Sequence, residues 1–374
     1  MIQRHRVRAP GWTAVLSPVL AVLLAGGVTP AAAAEFAVAG NVDTAWTDNV
    51  FVRSSPEWDL SVNPGLRADL DFATFWTLRY EGAAEIFTRH TDLTSHDHAL
   101  RLVVNPSFGA GHRHEFLVAV DVETLRNLDT YRALNFVGGG LTASLALEPS
   151  DRVAWQVTGT LRYRAFYDDP QADALDAFAS TQARFTLPSR TTLTPRIAYG
   201  YRYNAGLRPD ALGRVDRNDH QLDAGLHASQ ALWDRAGLQA GYHYRHLFST
   251  SQELTRKLTQ SQFAFLTADF LAGGHRAYLR LKQLFPKGFW ALAGVEYRDV
   301  RFPGWPAADA AGTLTGADRR DHRLSPAVTL AWARRFGDLG VELTAAYVFL
   351  RQWSNSADYD ARAHQVTIGI ALDY

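Results

Sequence analysis

Cysteine is absent, methionine occurs once, and lysine occurs only at Lys257, Lys282 and Lys287. Without cysteine the chain has no disulfide scaffold, thiolate metal site or thiol nucleophile. Almost all positive charge therefore sits on arginine, which stays protonated and presents a fixed fork of donors. Neither sign of charge is in excess, with Lys+Arg 38 against Asp+Glu 38, so the basic footprint of a nucleic-acid binder is missing. No run of 18 apolar residues follows Glu35, which excludes helical membrane spans. What the chain does have is 47% hydrophobic and 12% aromatic residues, spread in alternation rather than in blocks.

The first residues differ from the rest. Arg4, Arg6 and Arg8 precede a low-charge stretch from Trp12 to Pro30 with the core LSPVLAVLLAGG, and Ala32-Ala33-Ala34 follows. This order of basic, apolar and small residues predicts a secretory signal peptide over 1–34, leaving 35–374 as one domain beginning at Glu35. No cysteine adjoins the cleavage site, so a lipoprotein is not expected.

Period-two alternation recurs throughout 35–374. In Trp76–Ile86 one face reads Trp76, Leu78, Tyr80, Gly82, Ala84, Ile86 and the other Thr77, Arg79, Glu81, Ala83, Glu85. Phe116, Val118, Val120 and Val122 alternate likewise, as do Trp155 to Ala165 and Val341 to Phe349. Runs of this kind lie near 35–47, 57–70, 75–88, 98–108, 113–124, 133–147, 153–167, 174–187, 192–204, 218–232, 237–250, 258–271, 275–285, 289–302, 323–335, 339–352 and 363–374. Short turns such as Gly109-Ala110-Gly111, Pro188-Ser189-Arg190 and Phe336-Gly337-Asp338 alternate with longer polar connections, among them 50–57, 88–97, 204–218 and 302–322.

Runs of this length match tilted membrane crossings, and short turns at one end with long loops at the other are the signature of an outer-membrane barrel. A backbone in hydrocarbon must satisfy all its N–H and C=O groups internally, so a spanning sheet must close. The expected fold is all-β: a transmembrane antiparallel β-barrel of the bacterial outer membrane with 16 strands, or 18 as the alternative. An even count conflicts with seventeen runs, and the fault in phase falls between 258 and 302. Trp46, Trp58, Trp76, Trp233, Trp290 and Trp353 sit near run ends, as an interfacial girdle requires. The final run alternates to an aromatic terminus, Tyr374, expected to act as the signal for the barrel assembly machinery.

The polar faces give lumen-lining candidates: Arg79, Glu81, Glu85, Asp121, Glu123, Arg162, Arg164, Arg196, Arg245, Arg280, Lys282, Glu296 and Arg298. Their signs are mixed along the chain, and no ladder of one sign is visible. The expected role is conduction or export of hydrophilic solutes, with a general diffusion porin or a structural or enzymatic barrel as alternatives; no catalytic residue, metal or cofactor is expected. His90, His96 and His98 beside Asp92 and Asp97 are close in sequence, yet a metal needs ligands converging from fixed elements. Ser249 and Ser251 near His246 form no evident triad. The acidic loop 167–173 could bind calcium associated with lipopolysaccharide, or simply be solvated. The 302–322 connection could fold into the lumen as a constriction, or stand outside as a cover.

The segment Trp46-Thr47-Asp48-Asn49-Val50-Phe51-Val52-Arg53, followed by Trp58-Asp59-Leu60 and Asn63-Pro64-Gly65-Leu66, resembles the start of an outer-membrane β-barrel porin family associated with exopolysaccharide biosynthesis and export operons of Gram-negative bacteria. Asp48, Asn49, Phe51, Asp59, Pro64 and Gly65 carry the match, while Val52 intervenes before Arg53. The resemblance implies a porin-like conduit in the outer membrane, surrounded by lipid and lipopolysaccharide, with periplasmic polysaccharide-export proteins as partners. Asp48 and Asn49 suit turn formation. Tyr and Trp fall mostly on the apolar faces, which speaks against an aromatic sugar track in the lumen.

Overall fold

The computed structural model describes residues 34–205, 218–248, 270 and 272–374. The expected signal peptide at 1–33, Ser249, Ser251, most of the 204–218 loop and nearly all of the 258–271 run lie outside them. The strands are β1 Glu35–Thr47, β2 Asp59–Ala73, β3 Trp76–Phe87, β4 Ser95–Val104, β5 Ser107–Phe108, β6 His114–Asn127, β7 Phe136–Ser150, β8 Val153–Phe166 and β9 Ala174–Thr186. They continue with β10 Thr191–Asn204, β11 Asn218–Trp233, β12 Ala236–Leu247, β13 Gly273–Leu284, β14 Phe289–Ala308, β15 Leu314–Phe336, β16 Leu339–Ser354 and β17 Ala361–Asp373.

Successive strands pair antiparallel, and β1 closes the sheet on β17 from Ala39↔Asp373 to Thr47↔Gln365. The Val38 and Tyr374 backbones exchange hydrogen bonds of 3.1 and 2.9 Å, extending that seam. β4 and the two-residue β5 lie end to end against β6, so the wall is 16 strands around. Closure leaves no edge, the condition for a sheet in hydrocarbon. β12 and β13 pair directly from Ala236↔Gln283 to Arg245↔Gly274, so these two strands are neighbours in the wall and the described strands keep an even count around it.

Because the side-chain period is two, register fixes which face each residue takes. The outer face carries Val42, Leu100, Leu226, Leu330 and Ile368 with 45–63% of their surfaces open. A wall with exposed aliphatic or aromatic side chains on every strand is a lipid-facing surface. Trp46, Trp58, Trp233 and Trp353 are exposed and Trp46 shares the outer face of β1 with Val42. Trp290 departs from the expected girdle: it shares a face with Glu296 and Arg298, and the Lys282 ammonium lies 4.6 Å from its ring. We call the end with short connections, such as Thr74–Phe75 and Asp151–Arg152, the turn end, and the other the loop end.

The 302–322 segment is neither a lumen plug nor a free loop. It continues the hairpin of β14 and β15, with register shifts between Phe302 and Ala308 and a tip at 309–313. Pro306 is tolerated there because a bulge interrupts the ladder that its missing N–H could not complete.

Candidate functional site

Pairing brings the inner charges into rows that sequence order conceals. One row runs Asp69, Arg79, Arg101, Asp121, Gly140, Arg162, Asp176, Arg202, Asp219 from β2 to β11. A second runs Arg196, Gly225, His243, Arg276, Arg298, Arg323, Gln352 from β10 to β16. In the second row three arginines on adjacent strands stand directly opposite one another. Like charges at such positions destabilise a sheet, so their presence marks a place where the wall departs from the stability optimum.

All thirteen candidate residues share the inner face. Arg79 donates to Asp69 at 2.7 Å, and Glu81 sits opposite Arg67. Glu85 pairs in register with Ser95, Asp121 with Arg101. Glu123 lies 3.1 Å from Arg164 and 3.6 Å from Arg162. Arg245 meets Asp223 at 2.7 Å. Glu296 accepts from Arg276 at 2.6 Å and from Arg298, with Arg280 at 4.0 Å. Arg196 is exposed opposite Gly225. Arg276, Arg323, Asp176 and Arg202 were missed by the sequence reading, although Arg276 shares the parity of Arg280 and Lys282 and could have been found from it. The buried Asp176–Arg202 pair is bidentate at 2.6 and 2.9 Å.

Both signs stand on both parts of the inner wall, with a bias. Acids outnumber bases on β2–β6, where Asp69, Glu81, Glu85, Asp121 and Glu123 stand among Arg67, Arg79 and Arg101. Bases outnumber acids on β8–β15, where Arg162, Arg196, Arg245, Arg276, Arg280, Lys282, Arg298 and Arg323 stand among Asp176, Asp219, Asp223 and Glu296. A cavity of about 650 Å³ opens against this part of the wall, lined by Arg162, Arg196, Arg245, Arg276 and Arg298 together with Asp176 and Asp223 among others. Phe270 contacts two of the lining residues: its N–H donates to the Gln221 Oε1 at 2.8 Å and its ring meets Phe178 at 5.3 Å, with the Arg202 guanidinium 4.6 Å away. Tyr278 also faces inward, its hydroxyl 3.1 Å from His227 and its ring 4.8 Å from the Arg280 guanidinium.

The motif residues assemble a brace at the loop end. Asn49, 2% exposed, donates from Nδ2 to the Arg53 and Arg362 carbonyls at 2.7 and 3.0 Å and accepts from the Arg53 N–H at 3.1 Å. Asp48 accepts from the His364 N–H at 2.6 Å. Asp59 accepts from the backbone N–H groups of Leu60, Thr88, Arg89 and His90 at 2.7–3.2 Å and from the Thr88 hydroxyl at 3.1 Å. His90 Nδ1 lies 2.8 Å from Asp59, its Nε2 2.9 Å from Glu57, and its ring meets Phe51 edge-on at 4.9 Å. Pro64 sits opposite Val42 on the outer face, where the β2–β3 ladder skips from Val62 to Gly65. Gly65 faces Asn41, whose Oδ1 would lie 2.3 Å from an added Cβ. The motif thus ties the loops after β1 and β3 to β17.

Burial alone would raise the Asp59 carboxyl, but the donors of His90, Arg89 and Leu60 outweigh it and bring it down to about 2. Burial would lower the His90 imidazole, yet its bonds to Glu57 and Asp59 raise it above 6.5. A depressed acid stabilises above its unfolded value and loses that as pH falls through its folded one; a raised base stabilises below its unfolded value and loses that as pH rises. The brace is therefore expected to be tightest between about pH 4 and 6.5. Amide exchange at 88–90, corrected for intrinsic rates, should be slowest in that window and faster on both sides; a flat profile would contradict it.

The other histidines do not converge. His96 and His98 lie on the outer face of β4 with ring nitrogens 3.2 Å apart, and His246 is on the outer face of β12. Among the described residues no three His, Asp or Glu side chains form a group able to hold a metal ion. In the acidic loop, Asp173 accepts from the Phe166 N–H at 2.8 Å and the Tyr163 hydroxyl at 3.2 Å, and Asp168 lies 3.7 Å from Arg132.

Fold and inner wall define a transmembrane antiparallel β-barrel with a charged interior. No protein-family model matches the chain, and neither does any curated protein. Among solved structures, CdiB from Acinetobacter baumannii is similar with a TM-score of 0.50 at 11% identity, over 89% of this chain. The chain spans 60% of that protein's length. A bacterial polysaccharide outer membrane secretin aligns with a TM-score of 0.48 at 7% identity, over 90% of this chain and 97% of its own. OccAB1 from Acinetobacter baumannii aligns with a TM-score of 0.48 at 8% identity, over 91% and 96%. What CdiB shares with this chain is the barrel fold.

Proposed function

We propose that this chain is an outer-membrane conduit for hydrophilic solutes, not an enzyme, with its loop end at the cell surface and its turn end in the periplasm. The observation that carries this is the row Arg276–Arg298–Arg323 beside Arg196 and Arg245 on a water-accessible inner wall. Fixed charge of one sign in a narrow aqueous passage raises the local concentration of the opposite ion. The excess of acids on β2–β6 across the lumen adds a transverse component to that field. The cargo class is acidic and carbohydrate-like: the arginines attract carboxylates, and the inward rings of Tyr278 and Trp290, flanked by Arg280 and Lys282, offer faces on which sugars stack. The family resemblance at 46–66 supports a role beside polysaccharide export, with periplasmic export proteins and the barrel assembly machinery as partners.

A general diffusion porin is the second reading, favoured by an inner wall on which both signs remain open to water. A planar bilayer containing the purified chain distinguishes them. The proposal expects anion preference in a salt gradient, and channel block by an oligouronate at concentrations where a neutral oligosaccharide of equal length has no effect. Equal block by both would favour the unspecialised pore.

A further inference from the structure

One contact recurs on the outer face near the loop end. In the hairpin β3/β4, Tyr80 pairs in register with Leu100, and its hydroxyl lies 2.8 Å from Nδ1 of His98, two positions nearer the loop. The same diagonal joins Tyr199 to His220 at 2.5 Å in β10/β11 and Tyr242 to His275 at 2.7 Å in β12/β13. It joins Tyr297 to His322 at 2.9 Å in β14/β15 and Tyr347 to His364 at 2.7 Å in β16/β17. In β8/β9 Asp173 takes the histidine's place opposite Tyr163.

A tyrosine hydroxyl at a membrane boundary needs a polar partner, and a lipid-facing wall could have supplied it with serine or backbone. Imidazole does more. When Nδ1 accepts the Tyr O–H, the neutral ring carries its proton on Nε2, a second donor. Two positions beyond His322 and His364 on the same face stand Arg320 and Arg362, both exposed. Arg301 and Arg351 occupy the outer face of the neighbouring ascending strands. Their carboxylate partners are Asp299, 2.6 Å from Arg320 and 4.0 Å from Arg301, and Asp360, 2.7 Å from Arg351. Arg362 has no ion pair among the described residues. It borders a recess of about 410 Å³ with Trp46, Asp48, Pro56 and Trp58, where one Asp48 carboxylate oxygen is turned to the His364 N–H.

We propose that this belt seats a phosphorylated glycolipid of the surrounding leaflet, with the recess at Arg362 holding a sugar phosphate between Trp46 and Trp58 and the histidine Nε2–H groups donating to further headgroup oxygens. Charge complementarity selects the occupant: a band of guanidinium and imidazole donors just above exposed aliphatic wall matches a molecule with phosphates on sugars above acyl chains. The inference rests on the loop end facing the outer leaflet. Because it is read by binding and not by conductance, its failure is distinguishable from failure of the channel proposal.

The test is native mass spectrometry and thermal unfolding of the full chain in detergent, titrated with diphosphoryl lipid A, monophosphoryl lipid A or phosphatidylglycerol. The expected order of retention is diphosphoryl over monophosphoryl over phosphatidylglycerol. Arg362→Gln and His364→Phe, each on an outward side chain, should weaken diphosphoryl lipid A by about tenfold, the loss of one charge-assisted bond. Arg113→Gln at the turn end should leave it unchanged. Equal retention of phosphatidylglycerol, unaltered affinity in Arg362→Gln, or an equal loss in Arg113→Gln would overturn the proposal.

Discussion

Replacing Arg276, Arg298 and Arg323 together by glutamine is expected to abolish the anion preference of the channel without unfolding it. The three stand directly opposite on β13, β14 and β15, where cross-strand neighbours are ~5 Å apart at the backbone. Their mutual repulsion opposes folding, and Glu296, which accepts from Arg276 and Arg298, offsets only part of it. A unit charge acts on a passing ion with about 1 kcal/mol at ~4 Å in water-like surroundings. Loss of three such charges should therefore lower the anion-to-cation permeability ratio by roughly an order of magnitude. Reversal potentials in a salt gradient measure this, and relief of the arginine repulsion should offset much of the cost of leaving Glu296 without its two donors, so that the barrel still folds. An unaltered ratio would mean that the row serves only its own pairing, and the conduit proposal would lose its main support.

The contrast between what the chain discloses in one dimension and what closure adds is sharpest at these residues. Alternation from Trp76 to Ile86 is enough to put Arg79 and Glu81 on one face and Leu78 and Tyr80 on the other, because β-strand geometry repeats every two residues whatever the partner strand. It is not enough to place Arg276 opposite Arg298. That depends on a register set jointly by the 285–288 turn and by every hairpin before it around the cylinder. The bias of sign has the same origin: the excess of acids near Glu81 and of bases near Arg245 comes to face across the lumen only once β1 meets β17. The Tyr–His diagonal is hidden for the same reason, since Tyr347 and His364 are far apart in sequence yet adjacent in register. In the loops the obstacle differs. Asp59 reads as part of the 57–70 run, and nothing local shows that its carboxylate will gather the N–H groups of 88–90. Alternation alone also cannot say which runs are neighbours in a closed wall, and the direct pairing of β12 with β13 is visible only in the register.

The second large effect is expected at Arg319, in the hairpin extension beyond the wall. Its side chain is fully buried, with the guanidinium 4.7, 4.3 and 3.3 Å from the rings of Phe302, Trp305 and Tyr359. Its Nε donates to Asp321 at 3.0 Å, and Nη2 donates to the other carboxylate oxygen. Asp321 is itself 1% exposed. The bulge between Phe302 and Pro306 turns these rings onto the cation, and Tyr359 brings the β16–β17 loop against the hairpin. Ser356 and Asn355 of that loop accept from the Ala308 and Arg320 N–H groups at 3.2 and 2.8 Å.

Arg319→Ala would leave the Asp321 carboxylate buried without its bidentate partner, a loss of about 3–5 kcal/mol, and would forfeit cation–π contacts worth up to about 2 kcal/mol where desolvated. Arg319→Lys should recover little, because an ammonium cannot reproduce the fork or stack flat on Tyr359. Arg319→Met with Asp321→Leu should be close to neutral, since removing both charges removes the desolvation cost along with the attraction. The damage is local, so the readout is local: rapid proteolysis at the 309–313 tip and fast amide exchange over 302–308 and 314–322, with the mobility of the unheated barrel on gels unaltered. Equal protection of the tip in wild type and Arg319→Ala would show that the hairpin is held by its backbone ladder alone. Loss of the whole barrel would show that this end of the molecule takes part in closure, coupling β14 and β15 to β17 through Tyr359 rather than merely capping them.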